Sequence, residues 1–349
     1  MKYTAIAAVL AGLFAVPAVQ AAENTVNLYG IAQLGLTLAD DGKTSKLLVE
    51  DTGSRIGFKG EELLGNGSKA FFQIESAVAM DNAGASGFAS REGWLGLKGD
   101  FGTVKLGRGK TYFDLAQEGF DGFNGNSTMI NSLLIDGAYY RMNNSIAYET
   151  VNMDGFTGKL QYGDMEAKDS NVSPYALIGS LAYENGPLNA VFAFENQKDL
   201  APVVGNGSKA TAAGVKVRNY LLGAGYTLPA GTNLKAAVRL SDIDGAKRNT
   251  FIAVLAHPFG DVTGRIGFTQ AGDIDDVENT GGSYLAVGVD YPLSKRSIIY
   301  TEFSYARNDA NAIGVNGAGE PTGLLGTSAG FSLNQRKNSA WTTGLIHLF

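Results

Sequence analysis

Long stretches of this chain alternate strictly between apolar and polar residues, and that period of two rules out most other folds. Over residues 26–38 one face reads Val26, Leu28, Gly30, Ala32, Leu34, Leu36 and Leu38, and the other reads Asn27, Tyr29, Ile31, Gln33, Gly35 and Thr37. Residues 54–62 set Ile56 and Phe58 against Arg55, Lys59 and Glu61; residues 68–76 set Ala70, Phe72 and Ile74 against Lys69, Gln73 and Glu75. Charges recurring on one face of successive strands mean that this face sees water. A slip of one residue would exchange the faces, so the register is strongly specified. Beyond the first twenty or so residues no apolar run reaches the ~18–20 residues that a spanning helix needs, so any membrane insertion must be by strands.

The connections between these strands fall into two kinds. Short ones rich in Gly, Pro and Asn lie near residues 63–67, 99–102, 152–155, 185–187, 229–231, 258–260 and 292–294. Between them come longer polar ones near residues 39–52, 78–89, 109–137, 164–174, 197–215, 241–248, 270–281 and 308–338. That rhythm predicts sixteen antiparallel strands with both chain ends on the short-turn side, the layout of an outer-membrane β-barrel with short periplasmic turns and long outer loops. In hydrocarbon every unpaired backbone N–H and C=O costs several kcal/mol, so such a sheet must close on itself. Sixteen tilted strands leave an aqueous channel, whereas about eight would be filled by side chains. No internal repeat or domain boundary interrupts the pattern. The last strand ends on Trp341, Thr343, Leu345, His347 and Phe349 on one face, which suits an aromatic girdle at the membrane boundary.

One connection stands apart. Residues 109–137 are long for a loop and carry Tyr112, Phe113, Leu115, Phe120, Phe123, Ile130 and Leu133 beside the acids Asp114, Glu118, Asp121 and Asp136. A segment so apolar is no solvated linker. The expectation is that it folds back into the tube and narrows it.

Residues 1–21 read as a secretory signal: Lys2, an apolar run, Pro17, and Val19 and Ala21 before the cut. The barrel then occupies residues 22–349. Lys2 is the only charge in the leader, so the net charge of −6 becomes −7, which argues against a general nucleic-acid binder. The chain has no cysteine, so it folds without disulfides, thiolate catalysis or Cys metal sites.

Motifs for chemistry are weak. Gly42-Lys43-Thr44 and Gly109-Lys110-Thr111 lack the upstream glycine of a phosphate loop, since Thr37 and Val104 stand there. Asp242-Ile-Asp-Gly245 and Asp273-Ile-Asp-Asp276 resemble fragments of calcium loops without the terminal Glu. The two histidines, His257 and His347, fall near the periplasmic rim and have no nucleophile in reach of the pattern. The expectation is no enzyme activity, no cofactor and no metal site.

Taken in order, Asn27-Leu-Tyr-Gly30, Gly53-Ser-Arg-Ile-Gly-Phe-Lys-Gly-Glu61, Trp94-Leu-Gly-Leu-Lys-Gly99, Phe101-Gly-Thr-Val-Lys-Leu-Gly-Arg108, Arg141-Met-Asn-Asn-Ser-Ile-Ala-Tyr148, Leu293-Ser-Lys-Arg296 and Gly344-Leu-Ile-His-Leu-Phe349 resemble the general porins of Gram-negative outer membranes, most of all the neisserial and β-proteobacterial branch. The resemblance spans the whole mature chain. It implies a homotrimer of sixteen-stranded barrels in outer-membrane lipid and lipopolysaccharide, with the third outer loop folded inside as a constriction. It implies passive diffusion of small hydrophilic solutes and ions. A solute-specific channel, for example for sugars, and a barrel whose outer loops act as an adhesin are the alternatives.

By motif, Arg55 and Arg91 stand where such porins place wall arginines facing the constriction. Lys59 and Lys105 share the pore-facing parity of their own strands. Asp114, Glu118 and Asp121 would be the opposing acids on the loop, and the pair of charged walls would sort solutes by charge. Arg108 has the outward parity of Val104 and Leu106 and is expected at a subunit contact. Arg55, Lys59, Lys69, Arg91 and Lys105 outnumber Glu61 and Glu75 on the early strands, which predicts a mild preference for anions.

Overall fold

The computed structural model describes residues 25–40, 42–82, 87–123, 139–163, 166, 168–201, 205–206, 210–275, 277–310, 314–315, 321–322 and 337–349. The expected signal segment and all of residues 124–138, Asp136 among them, therefore lie outside the described residues. Sixteen strands form one antiparallel barrel: β1 (Thr25–Asp40), β2 in two pieces (Ser45–Asp51 and Arg55–Leu63), β3 (Lys69–Ala77), β4 (Glu92–Gly99), β5 (Gly102–Lys110), β6 (Tyr139–Glu149), β7 (Phe156–Gly163) and β8 (Tyr175–Asn185). They continue as β9 (Leu188–Leu200), β10 (Thr211–Thr227), β11 (Asn233–Ile243), β12 (Ala246–Phe259), β13 (Val262–Ala271), β14 (Gly282–Pro292), β15 (Ser297–Asn308) and β16 (Lys337–Leu348). Each pairs with its neighbour, and β1 closes the ring on β16 from Ile31 opposite Leu348 to Asp40 opposite Ser339. Closure joins the first strand to the last, the condition that lipid imposes on a strand protein.

The seam is finished by the last residue. Gly30 and Phe349 exchange backbone hydrogen bonds of 3.0 and 3.1 Å. The Phe349 ring lies over Gly30, where a Cβ would come 2.7 Å from its Cε2.

Burial alternates as the sequence predicts, but inside out. Leu28, Leu36, Leu38, Leu95, Leu222 and Trp341 are each more than half exposed, while Gln33, Thr37, Asn219, Arg239 and Thr269 are buried. Apolar side chains pointing outward on most strands make the band that meets hydrocarbon, and the polar set crowds the interior.

Two connections differ from the sequence expectation. Residues 39–52 are mostly strand, since Ser45–Asp51 pairs with the far half of β1. Residues 241–248 are a two-residue hairpin at Asp244 and Gly245, with φ of 54° and 99°. At the Asp244–Gly245 hairpin both strand faces carry polar residues, so alternation fades and strand reads as loop; in Ser45–Asp51 Leu47 and Val49 stand beside Leu38 and Leu36 on the outer face, but the run is short and its other face carries Leu48. Asp-Gly is itself the strong signal for a tight hairpin turn.

Where β2 breaks, Asp51 Oδ1 accepts from the N–H groups of Gly53 (2.9 Å) and Ser54 (2.7 Å), and Ser54 Oγ accepts from Gln33 N at 2.9 Å. This Asx turn re-aims the chain just before Arg55. In β5 a bulge between Gly107 and Gly109 does the same before Lys110. Gly107 has φ 139°, and the Gly93 carbonyl lies where a Cβ would sit, so only glycine fits.

Candidate functional site

After β5 the chain turns into the one helix among the described residues, α1 (Tyr112–Glu118). Thr111 caps it, its Oγ1 accepting from Asp114 N at 3.2 Å, and Asp114 in the first turn complements the helix dipole. Tyr112, Phe113, Phe120 and Phe123 are buried against Ile178, Ala193, Leu221, Ile252 and Val254, all on the wall parity opposite the exposed apolar one. The ring of Phe120 covers Gly223 of β10.

Cations on the far wall fasten this segment. Arg239 of β11 donates from Nη1 to Gln117 Oε1 (2.9 Å), from Nη2 to Asn219 Oδ1 (3.2 Å) and from Nε to Ser241 Oγ (3.1 Å). Lys235 Nζ donates to the Gly119 carbonyl at 2.7 Å, and Arg265 Nη1 to the Gly122 carbonyl at 2.5 Å. Arg265 also pairs with Asp290. Hydrogen bonds from charged donors are the stronger kind, so these side chains hold the backbone from 117 to 122 at fixed points.

On the opposite wall lies an arc of arginines. Arg91 Nε donates to Glu75 Oε1 at 2.6 Å, and Arg55 Nε lies 3.9 Å from the same oxygen. Arg55 Nη1 also donates to the Gly53 carbonyl at 3.0 Å. Arg141 Nε is 3.9 Å from Glu92 Oε1, while Glu92 Oε2 accepts from Trp94 Nε1 at 2.6 Å. Arg141 is 2 % exposed and lies over the Tyr140 ring at 4.4 Å, and among the described residues its Nε and Nη2 have no hydrogen-bond partner. Three guanidinium groups thus share two carboxylates.

The acids of the loop are placed differently from one another. Asp114 is buried, 3.6 Å from Lys110 Nζ, and Glu118 pairs with the same ammonium. Burial pushes the Asp114 carboxyl up, to about 7, against the pull of Lys110. Asp121 Oδ1 accepts from Phe123 N at 2.9 Å. Among the wall lysines, Lys105 donates to Glu149 Oε1 at 2.8 Å and lies 4.7 Å from the Trp94 ring centre, and Lys59 lies 5.2 Å from that of Tyr29. Arg108 donates from Nε and Nη2 to the Ser90 carbonyl, at 3.0 and 2.7 Å.

The structure therefore gathers Arg55, Arg91, Lys110, Arg141, Asp114 and Glu118 at one level, with Lys59 and Lys105 in separate pairings. Sequence reasoning missed Lys110, Arg141, Lys235, Arg239 and Arg265. For Lys235 and Arg239 the signal was present, since they alternate with Leu234, Ala236, Val238 and Leu240. Lys110 was hidden by the bulge. Among the described residues no group of three or more His, Cys, Asp or Glu is arranged to hold a metal ion.

Known proteins resemble this chain along most of its length. The major outer membrane protein P.IA of Neisseria meningitidis is 29% identical over 293 residues, covering 71% of this chain and 74% of that protein. P.IB of Neisseria gonorrhoeae is 29% identical over 331 residues, covering 85% and 91%. Among solved structures, the anion-selective porin from Comamonas acidovorans superposes with a TM-score of 0.76 at 24% identity, over 94% of this chain and 100% of that one. The Salmonella typhi OmpF complex with daunomycin gives 0.71 at 17% identity, over 95% and 100%. The sequence profile of the Gram-negative porins matches residues 5–311, and by that match and its closed sixteen-strand barrel this chain belongs to that family, as a pore-forming protein of the outer membrane.

Proposed function

We propose that the barrel is a passive diffusion channel with a preference for small anions, assembled as a homotrimer, and that the segment from Gly109 onward narrows its lumen. One observation carries the preference. Among the described residues Arg55, Arg91 and Arg141 have Glu75 and Glu92 as their carboxylate partners, so this part of the wall holds a net positive charge. The loop stem beside it holds Lys110 against Asp114 and Glu118. A permeating ion then passes between a cationic arc and an acidic stem, and a narrow passage with low-dielectric walls strengthens the field it feels. Arg141, 2% exposed, acts on a passing anion through its field rather than by contact. Lys59 and Lys105 act at a distance, as wall charges on the approach. Leucines and aromatics on the outer surface meet lipid, and the polar interior lets hydrated solutes through.

The test is the reversal potential of single channels in planar bilayers under a KCl gradient. Wild type should favour chloride. Arg141→Leu should lower the chloride-to-potassium ratio about sevenfold, because a unit charge ~7 Å away favours an anion by ~0.6 kcal/mol and disfavours a cation by as much, ~1.2 kcal/mol in the ratio, even at the dielectric constant of water. A wild-type channel that favours potassium, or an unchanged ratio in Arg141→Leu, would overturn the reading.

A further inference from the structure

Beneath α1, on the short-turn side, lies a cavity of about 440 Å³ that the charge arc does not use. Its roof is the underside of α1, with Leu115, Ala116 and Phe120; its floor is the wall of β7 to β11, with Lys159, Val191 and Lys235. Leu115 is 41% exposed. An exposed leucine on the outer wall would simply face lipid. Here it faces a polar interior, where an uncovered apolar patch is costly unless something covers it.

The two ends of the cavity differ in charge. At the Tyr112 end, Glu149 Oε1 accepts from both Lys105 Nζ and Tyr112 Oη, each at 2.8 Å. Lys159 Nζ lies 5.6 Å from the Tyr112 ring centre and close enough to act on the charge of Glu149. Two ammonium groups thus face one carboxylate, and that end is positive. At the Gly119 end Lys235 is engaged by the Gly119 carbonyl, with Asp121 near it. Helix geometry separates the two ends by about 10 Å. The arrangement is one cationic head site followed by an apolar shelf, with Glu184 also in the lining. A volume in the range of ordinary ligand sites, apolar walls and a few placed charges are the marks of a binding pocket.

We infer that this cavity is a subsite for small amphipathic carboxylates, with the carboxylate at Lys159 and an aromatic or branched body along Leu115, Ala116 and Val191. The inference rests on the lumen being an open channel, and it names the solute class for which transit is saturable rather than merely diffusive. The charge arc catches any anion; the shelf discriminates by the apolar body that the anion carries.

The experiment records KCl current through single channels while 3-phenylpropanoate or propanoate is added on the short-turn side. 3-Phenylpropanoate should interrupt the current at a concentration about tenfold below propanoate, the difference expected from burying most of a ring. Leu115→Ser and Val191→Thr should each bring the two half-blocking concentrations closer together. Lys159→Gln should raise both. Equal block by the two acids in wild type, or a ratio that neither Leu115→Ser nor Val191→Thr changes, would overturn the subsite alone. Absence of KCl steps from inserted protein would overturn the channel and the subsite with it.

Discussion

Gly223 offers the sharpest handle on the segment that follows α1. It sits on the inward parity of β10 beneath the ring of Phe120, which is 3% exposed. A Cβ there would stand 2.7 Å from Cε1 and Cε2 of that ring. Carbon atoms rest at ~3.6 Å and Cζ lies closer still, so in Gly223→Ala the ring must withdraw by more than about 1 Å. The backbone next to it is tied by Lys235 to the Gly119 carbonyl at 2.7 Å. The same shift would stretch that bond past the limit for a hydrogen bond. A hydrogen bond to a charged group is worth ~1.5–3 kcal/mol, so the docked state would lose about ten- to a hundredfold in weight. Because the ring moves away from the wall, the segment moves toward the pore axis. Single-channel recordings of Gly223→Ala should therefore show a smaller conductance step and more open-channel noise. Adding Phe120→Ala to the same chain removes the clash and should recover part of the conductance. If Gly223→Ala conducts like wild type with no added noise, the segment after α1 does not set the pore, and the argument fails.

Two further outcomes are expected. Burial raises the Asp114 carboxyl to about 7, so the folded protein keeps that proton where the unfolded chain has already lost it. Its contribution to stability is full below the ordinary carboxylate range and is lost as pH rises through about 7, and over the same rise the loop stem gains a negative charge. The chloride preference should accordingly grow between about pH 8 and about pH 6, and Asp114→Asn should remove that step; a step of equal size in the variant would assign it to another group. At the seam, Gly30→Val would drive a side chain into the Phe349 ring, an overpacking of ~1–3 kcal/mol, and should lower the temperature at which the folded barrel loses its heat-modifiable gel mobility. Unchanged mobility across the same temperatures would show that closure does not depend on that seat.

The wall was legible because its physics is local. Alternation in residues 26–38 places Leu28 and Leu36 outside and Gln33 and Thr37 inside, and the burial of those side chains follows. Lipid demands one face and water the other, and a strand has only two faces. Legibility ended where one of those demands lapsed. In Ser45–Asp51 Leu47 and Val49 turn outward beside Leu38 and Leu36, but Leu48 opposite Thr37 puts an apolar residue on the other face, so the short run shows no clean alternation and read as loop. At the Gly107 bulge the parity itself changes, and no count of odd and even positions reaches Lys110.

The site was less legible for a different reason. A parity argument says that Arg239 faces inward, but not that Gln117, more than a hundred residues earlier, will meet it there. The same holds for Asp114, whose partner is Lys110 on its own stem rather than the arginines across the lumen. Such pairings depend on where an irregular segment lands on a curved wall, and the local pattern holds no record of that. What the sequence does hold is the means of landing: glycine at 223 where the ring must seat, and cations at 235, 239 and 265 where free carbonyls and an amide must be met. A buried carbonyl without a donor costs free energy comparable to a lost hydrogen bond. A loop that leaves its ladder and crosses a barrel exposes several. The inward cations of β11 and β13 satisfy them, so an interior cation paired to loop backbone serves first as an anchor and only secondarily as a filter.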